Sequence, residues 1–468
     1  METKVKVSYG VGAVGKDLVY MLSSTYVLYY YQDILGMNAI FMGVLLLVAR
    51  VFDAANDPVM GILVAKTKTR WGKFRPWLFS GTLLNALILF ALFSTPQGLG
   101  GNMLKVYVAV MYILWGVTYT MMDIPYWSMI PAFTKSGKER EGLSQLARTC
   151  AGMGSAIITV VAIWAVNQLG SGNERKGFMW FSLIIAVIFV IAELITCINV
   201  KEKSTVDMET TSVKNMFKAL FSNDQALIVV IAIVCINIAL YITSNLVIYF
   251  FKYDIGGEGW YNTYTLFNTF GGAVQILSMA LIYPLMRKIL STINVFYVCI
   301  AMASVGYVVL LTISCLNMDS LVMLLVPAFF IFAANGMLCV LTTVFLANSV
   351  DYGELKNGRR DESVIFSMQT FVYKLASGVA VLIASICIST FNISKDTSEE
   401  AVTTILSNSA SMGLRLTMTV LPMLILIIAV IVFSKKFVLT EKKVDEIIEK
   451  LKARKQNENV IEGTADDI

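Results

Sequence analysis

Eight charged side chains interrupt stretches of the chain that are otherwise apolar: Lys16, Asp17, Arg50, Asp53, Asp57, Asp123, Arg148 and Lys374. A charge at the centre of a hydrocarbon layer costs about 2.5–3.5 kcal/mol on an insertion scale, so such residues face a wet cavity, a partner or a ligand. Arg50, Asp53 and Asp57 stand at i, i+3 and i+7 and share one helix face. Two carboxylates one turn apart in a poorly solvated place resist ionising together. They hold a proton between them or share a small hard cation through their oxygens, as a metal-ion site would. Asn56 and Thr120 add neutral oxygens, and Arg50 and Lys374 compensate charge when the cation is absent. A second group, Tyr119, Asp123 and Trp127, repeats at i, i+4 and i+8. A carboxylate accepts hydrogen bonds from two vicinal hydroxyls at ~1.5–3 kcal/mol each, and an indole offers a flat face to the C–H side of a pyranose. Arg148 and Asp17 bracket the remaining hydroxyls. Taken singly, each charge is also readable as an ion pair joining two helices, and an aromatic stripe as packing. The acid in the middle of this stripe reverses that weighting. Pro125 and Pro131 follow Asp123 and kink its helix, freeing carbonyls.

The elements that must carry these residues are legible from composition. Of 468 residues, 57% are apolar and only 15% charged, with a mean hydropathy of +0.71. Such a chain has too little polar surface to face water all round, which argues against a soluble enzyme, a nucleic-acid binder and a disordered scaffold. Its apolar runs are continuous rather than alternating, which argues against an outer-membrane barrel. Twelve runs are long enough to cross a bilayer as helices. They cover 9–31, 39–65, 77–94, 104–131, 143–168, 178–199, 226–251, 261–284, 293–314, 320–349, 364–391 and 411–434. The expected fold class is an all-α membrane protein with twelve transmembrane helices in two six-helix bundles. Residues 1–200 form the first bundle, 201–225 a central loop, 226–434 the second bundle and 435–468 a tail. No small-residue cleavage site follows the first run, so it is expected to be a retained span. At a rise of ~1.5 Å per residue, the in-span charges lie about 11–20 Å from the nearest flanking charge, on five helices. Transporters of the alternating-access kind bind substrate and coupling ion at such depths. Of the other charges within spans, Arg415 is expected to snorkel, and Glu193, two turns from Lys201, to be a satisfied helix-end residue.

With the N-terminus placed in the cytoplasm, 27 of the 37 Lys and Arg fall on that side and 5 on the other. That asymmetry predicts a cell (inner) membrane protein with both termini cytoplasmic. Thr440 is expected to cap a solvated tail helix over 441–455, with Val444, Ile447, Ile448 and Leu451 on one face. Its acidic and basic residues balance, which does not favour strong binding to anionic lipid. The absence of histidine excludes His-ligated metals and Ser–His or Cys–His nucleophiles. The seven cysteines, spread through apolar runs without CxxC spacing, read as buried small hydrophobes.

At these residues the chain resembles the glycoside–pentoside–hexuronide:cation symporters of the major facilitator superfamily. The segments that carry the likeness are Gly15-Lys16-Asp17, Tyr29-Tyr30-Tyr31, LVARVFDAANDPVMG (47–61), RWGKFRPW (70–77), YILWGVTYTMMDIPYW (112–127), DYGE (351–354) and QTFVYK (369–374). They occur in both halves and in the family's order. The resemblance implies two bundles around a central cavity. By position it implies a sugar pocket of Lys16, Asp17, Tyr119, Asp123, Trp127, Arg148 and Thr370. It ties Asp53, Asn56, Asp57, Thr120 and Lys374 to cation binding and coupling, with Lys374 also counted among the substrate-binding residues. Arg70, Lys73 and Arg75 of the loop 66–75, with Asp351, take gating roles. Two positions in span ten depart from the pattern: Cys339 stands for a pocket-facing Trp and Asn348 for an inner acid.

The expected activity is symport of a galactoside-like di- or oligosaccharide with Na+ or H+ by alternating access, without enzymatic chemistry. No cofactor is implied beyond the coupling cation. The expected partners are a sugar, a monovalent cation and the lipid bilayer, with no nucleic acid and no second subunit. A hexuronide or pentoside is the near alternative, although two pocket aspartates repel a uronate. A lipid carrier on the same fold is more distant.

Overall fold

The computed structural model describes residues 2–130, 137–202, 213–256, 259–317, 320–358, 362–393 and 408–465. Among the described residues it contains fifteen α-helices and no strand. In chain order these are α1 (Thr3–Tyr29), α2 (Ala39–Lys66), α3 (Arg75–Phe93), α4 (Gly101–Ser128), α5 (Gly137–Gly170), α6 (Glu174–Asn199) and α7 (Val213–Ser222). They continue as α8 (Asp224–Tyr249), α9 (Trp260–Leu277), α10 (Tyr283–Arg287), α11 (Thr292–Cys315), α12 (Leu321–Asn357), α13 (Glu362–Thr390), α14 (Asn408–Lys436) and α15 (Glu441–Ala465). Single π-helical segments extend α1 (Tyr30–Ile34) and α8 (Phe250–Ile255) and join α9 to α10 (Ser278–Ile282).

Helix ends follow local chemistry. Asn38, Asn173 and Ser291 cap α2, α6 and α11 by accepting a backbone N–H three residues on. Pro76 opens α3, where its missing N–H costs nothing. Gly358 closes α12 in the left-handed region at φ 70°. Eleven stretches of the described helices are long and apolar enough to cross a membrane. α1 is not among them: it has the length, but its glycines, tyrosines, serines and Lys16-Asp17 make it less apolar than the rest.

By contact the chain divides into two compact units. One comprises Met1–Thr210, Ile248–Thr269 and Val381–Ser411; the other comprises Thr211–Val247, Phe270–Ala380 and Met412–Ile468. In the first, α1 packs along α5 and α6, α3 along α4 and α6, and α2 along α4. Where water is absent, such helices are held by close packing rather than hydrophobic transfer, so small residues mark the contacts. A Cβ on Gly15 would sit 2.6 Å from Cβ of Ala192, and one on Gly81 would sit 2.9 Å from the backbone nitrogen of Met122.

The core of the second unit is aromatic. Phe433 of α14 lies 4.4 Å from Phe296 of α11 and 5.0 Å from Phe345 of α12, centroid to centroid. The tail helix α15 packs on α12 in this unit. Thr440 accepts the N–H of Lys443, Ile447 is buried, and Val444, Ile448 and Leu451 are half-buried. Glu441 accepts from the backbone N–H and hydroxyl of Thr292 at 2.9 and 2.8 Å and pairs with Arg287 at 2.6 Å. These bonds, those from Thr292 first, hold its carboxyl below the usual carboxylate range.

All seven cysteines are free. Cys197, Cys299 and Cys387 are buried as expected, but Cys315 and Cys339 are exposed. Apolar helices bounded by lipid keep hydrophobes on their outward faces, so an apolar run does not by itself predict burial in protein.

Candidate functional site

Three helices of the first unit bring the expected sugar-pocket residues together. Lys16 of α1 extends to α4 and places Nζ 2.6 Å from Asp123 Oδ1. The same ammonium lies 3.3 Å from Asp17 Oδ2 and donates to the Tyr119 hydroxyl at 3.4 Å. Trp127 Nε1 donates to Asp123 Oδ1 at 3.1 Å, so the indole is locked to the acid one turn before it. Lys16 Nζ is 5.0 Å from the centre of the Trp127 ring, and the Arg148 guanidinium of α5 is 5.4 Å from it. Asp17 also accepts from Ser155 of α5 at 3.3 Å. Lys16 is 3% exposed, whereas the Asp123 side chain keeps 30% of its surface. The arrangement is a carboxylate held ready by one ammonium and one indole N–H, with a second face open.

The paired acids of α2 take different neighbours. Asp53 is buried, 3.7 Å from Arg50 Nη1, and lies against Gly116 of α4, where a Cβ would collide with its carboxylate. Asp57, one turn on, accepts from Thr120 Oγ1 of α4 at 3.2 Å. The Asn56 amide nitrogen is buried without a hydrogen-bond partner. Two carboxylates, a hydroxyl and an amide side by side on α2 and α4 are hard oxygen donors of the kind a small cation takes. Among the described residues no cluster of three or more Cys, Asp or Glu is poised to hold a metal.

An aromatic ladder joins the two groups. Tyr112 stacks on Trp115 at 5.6 Å and Trp115 on Tyr119 at 5.4 Å; Tyr20 meets Tyr119 at 5.4 Å and lies under the Arg50 guanidinium at 5.7 Å. The rings thus form a packed connection from the Lys16–Asp123 pair to Arg50 of α2.

Other expected residues stand elsewhere. The side chain of Thr370 lies outside the described residues, and Lys374 is a half-buried residue of α13 in the second unit. Asp351 and Asn348 are half-buried on α12. Arg70 is exposed in the loop 66–75. Arg75 turns back to the carbonyl of Cys197, donating from Nε at 2.8 Å. The backbone N–H groups of Lys73, Phe74 and Arg75 all donate to the Glu202 carboxylate, at 2.7, 2.9 and 3.1 Å. That anion neutralises the start of α3, where the helix dipole is positive.

Arg415 is half-buried near its helix start, with Nη2 3.4 Å from Asn317 Oδ1. Glu193 departs from expectation. It is 1% exposed and neither carboxylate oxygen has a hydrogen-bond partner. Its turn of α6 faces α1 and α3 rather than the helix end, so the distance to Lys201 counted along the sequence is beside the point.

Sequence reasoning missed a second charge cluster in the first unit. Lys252 Nζ lies 2.8 Å from Asp33 and 3.1 Å from Glu174, and donates to Tyr29 Oη at 2.5 Å. Tyr29 donates to Glu174 at 2.7 Å, Tyr253 donates to Asp33, and Tyr249 donates to Gln32 at 2.6 Å. The only signal in the sequence is that Asp33 and Lys252 each follow an aromatic run at a helix end.

Comparison with known proteins gives the chain its family. The family described as MFS/sugar transport protein matches residues 8–441. The chain is 29% identical over 466 residues to a lactose permease of Lactobacillus delbrueckii subsp. bulgaricus, covering 96% of this chain and 72% of that protein. It is 30% identical over 393 residues to an isoprimeverose transporter of Lactiplantibacillus pentosus, covering 82% and 79% respectively. Among solved structures, a bacterial homolog of the human lysosomal transporter Spinster superposes with a TM-score of 0.65 at 10% identity, over 93% of this chain and 96% of that one. At that identity the likeness speaks for the fold alone.

Proposed function

Because this chain belongs to the MFS/sugar transport protein family, a group of multi-pass membrane carriers, we propose that it imports a galactoside-like di- or oligosaccharide together with Na+ or H+. The observation that carries this reading is the Lys16–Asp123–Trp127 constellation, set one aromatic ladder away from Asp53, Asn56, Asp57 and Thr120. Vicinal hydroxyls take the free lone pairs of Asp123 while the sugar's C–H face rests on Trp127, and Arg148 and Asp17 meet the remaining hydroxyls. The cation enters between Asp53 and Asp57, with Thr120 and Asn56 completing its oxygen shell. Arg50 offsets the carboxylates when it leaves. Lys374 and Thr370 of α13 are assigned to substrate binding and coupling, and Arg70, Lys73, Arg75 and Asp351 to gating.

The lactose permease and isoprimeverose transporter relatives support a glycoside as cargo. One positive charge moving down 100 mV releases about 2.3 kcal/mol, enough for roughly 50-fold accumulation before any ion gradient is added. The Lys and Arg asymmetry supports cytoplasmic termini in a cell-membrane carrier. We take the carrier to act as a monomer and without enzymatic turnover. The deciding experiment is uptake into vesicles of labelled galactosides, glucosides, xylosides and glucuronides, with and without sodium. Accumulation of unmodified galactoside is the expected result. Recovery of cleaved or modified sugar, or uptake of glucuronides or xylosides alone, overturns the assignment.

A further inference from the structure

Glu193 is a buried carboxyl of the first unit that the transport chemistry above does not use. It is 1% exposed, and both its oxygens lack a hydrogen-bond partner. Gly12 of α1 leaves it room: a Cβ there would lie 3.1 Å from Glu193 Oε2. The space beside it is bounded by Phe79, Thr82 and Leu83 of α3 and by Val190, Leu194 and Cys197 of α6. Thr82 is 2% exposed, and its hydroxyl is likewise without a partner. Two unsatisfied polar groups thus line one small enclosure.

The titratable and charged groups around it are Tyr9 and Lys16 of α1, Asp123 and Tyr126 of α4, and Cys197 of α6. Most are already committed. Tyr9 and Tyr126 donate to each other's carbonyl oxygens at 2.5 Å, and Arg75 donates to the Cys197 carbonyl. Among the described residues Lys16 is the cation whose charge acts on Glu193, and it already serves Asp17 and Asp123. An ionised Glu193 would be a third carboxylate around one ammonium, with no donor of its own. A buried charge in that position is costly and is relieved by taking up a proton.

We propose that Glu193 is a proton-binding site of this carrier, neutral in the conformation described here and linked through Lys16 to the occupancy of Asp123. When ligand hydroxyls satisfy Asp123, the Lys16 ammonium is released to compensate Glu193. The carboxyl O–H bond then breaks and its proton leaves to solvent. Proton occupancy of Glu193 stands by itself, whereas its link to ligand binding rests on the sugar reading.

Infrared spectroscopy of the full chain in lipid nanodiscs tests the first part. At pH 7 the wild type is expected to show a protonated-carboxyl C=O band that is missing in Glu193→Gln. Glu193→Gln, which mimics the neutral acid, is expected to keep the wild-type melting temperature. Thr82→Val, for use where the glutamine variant does not fold, is expected to shift the band rather than remove it. A spectrum without such a band, or one unchanged in both variants, overturns the proposal. For the linkage, lactose is added to a weakly buffered sample with a pH dye. Binding by calorimetry with about one proton released, and none released from Glu193→Gln, supports it; binding without release overturns it. Absence of lactose binding counts against the sugar reading, and the infrared band then decides the Glu193 site alone.

Discussion

The ammonium of Lys16 and the carboxylate of Asp123, on α1 and α4, stand 2.6 Å apart. One cation there answers two acids, because Asp17 lies 3.3 Å from the same nitrogen. The pair joins α1 to α4 beside Trp127, whose indole N–H donates to the same carboxylate oxygen.

Removing the acid is therefore expected to abolish sugar binding while the fold persists. Two charge-assisted hydrogen bonds at ~1.5–3 kcal/mol each correspond to a loss of 100-fold or more in affinity. Asp123→Ala and Asp17→Ala should keep a wild-type circular dichroism spectrum and lose binding of a fluorescent galactoside. Unchanged affinity in either variant removes these residues from the pocket.

The α2 acids carry a separate expectation. Asp57→Cys is expected to retain sugar binding and lose stimulation by sodium or protons, and Thr120→Val to weaken that stimulation about tenfold, the worth of one hydrogen bond to a charged group. Gly116→Ala should also impair it, because the added methyl meets the Asp53 carboxylate. Uptake measured against cation concentration separates these effects from changes in sugar affinity.

Lys252→Met is expected to destabilise the protein. It leaves Asp33, whose side chain is 1% exposed, and Glu174 without their cation. Breaking such a buried pair by removing one partner costs about 3–5 kcal/mol. Thermal melting in detergent should show a clear drop, partly recovered in Lys252→Met combined with Asp33→Asn. A melting temperature equal to wild type would show that the cluster holds nothing together.

The tail has a pH signature. Glu441 has a folded-state pKa below its unfolded one, so its contribution to docking is complete above the ordinary carboxylate range near pH ~4.3. It is lost as pH falls through the depressed folded value. The protection of amides over 441–454 against hydrogen exchange, taken relative to the intrinsic rate at each pH, is expected to be high at neutral pH and to fall below about pH 4. Glu441→Gln should exchange faster at pH 7 and lose this dependence.

Much of this architecture is legible in the residues themselves. Hydrophobic run length marks the helices, and spacing puts Arg50 beside Asp53 and Asp123 beside Trp127, because one-turn neighbours meet on any helix. Pairings between helices are harder to read. Lys16 and Asp17 are adjacent in sequence and point about 100° apart on a regular helix, yet the long lysine stem reaches back so that its ammonium touches both acids. Glu193 escapes a local reading because its surroundings come from α1 and α3, which no pattern within α6 records. Lys252, Asp33 and Glu174 come from three distant segments, and composition says nothing of their meeting.

The π-helical segments after α1 and α8 are written in nearly the same letters. Each begins in aromatics and closes on Asp-Ile, with a glycine at φ 68° or 66° shortly after. The two halves of the chain thus share one punctuation mark. Each mark holds about a residue more per turn than an α-helix and so sets the azimuth of the chain beyond it. Deleting a single residue from either would swing the downstream side chains through roughly 100°, and Asp33 and Lys252 would look past one another. The count of residues in these two short turns thus decides whether the Lys252 and Asp33 charges can meet.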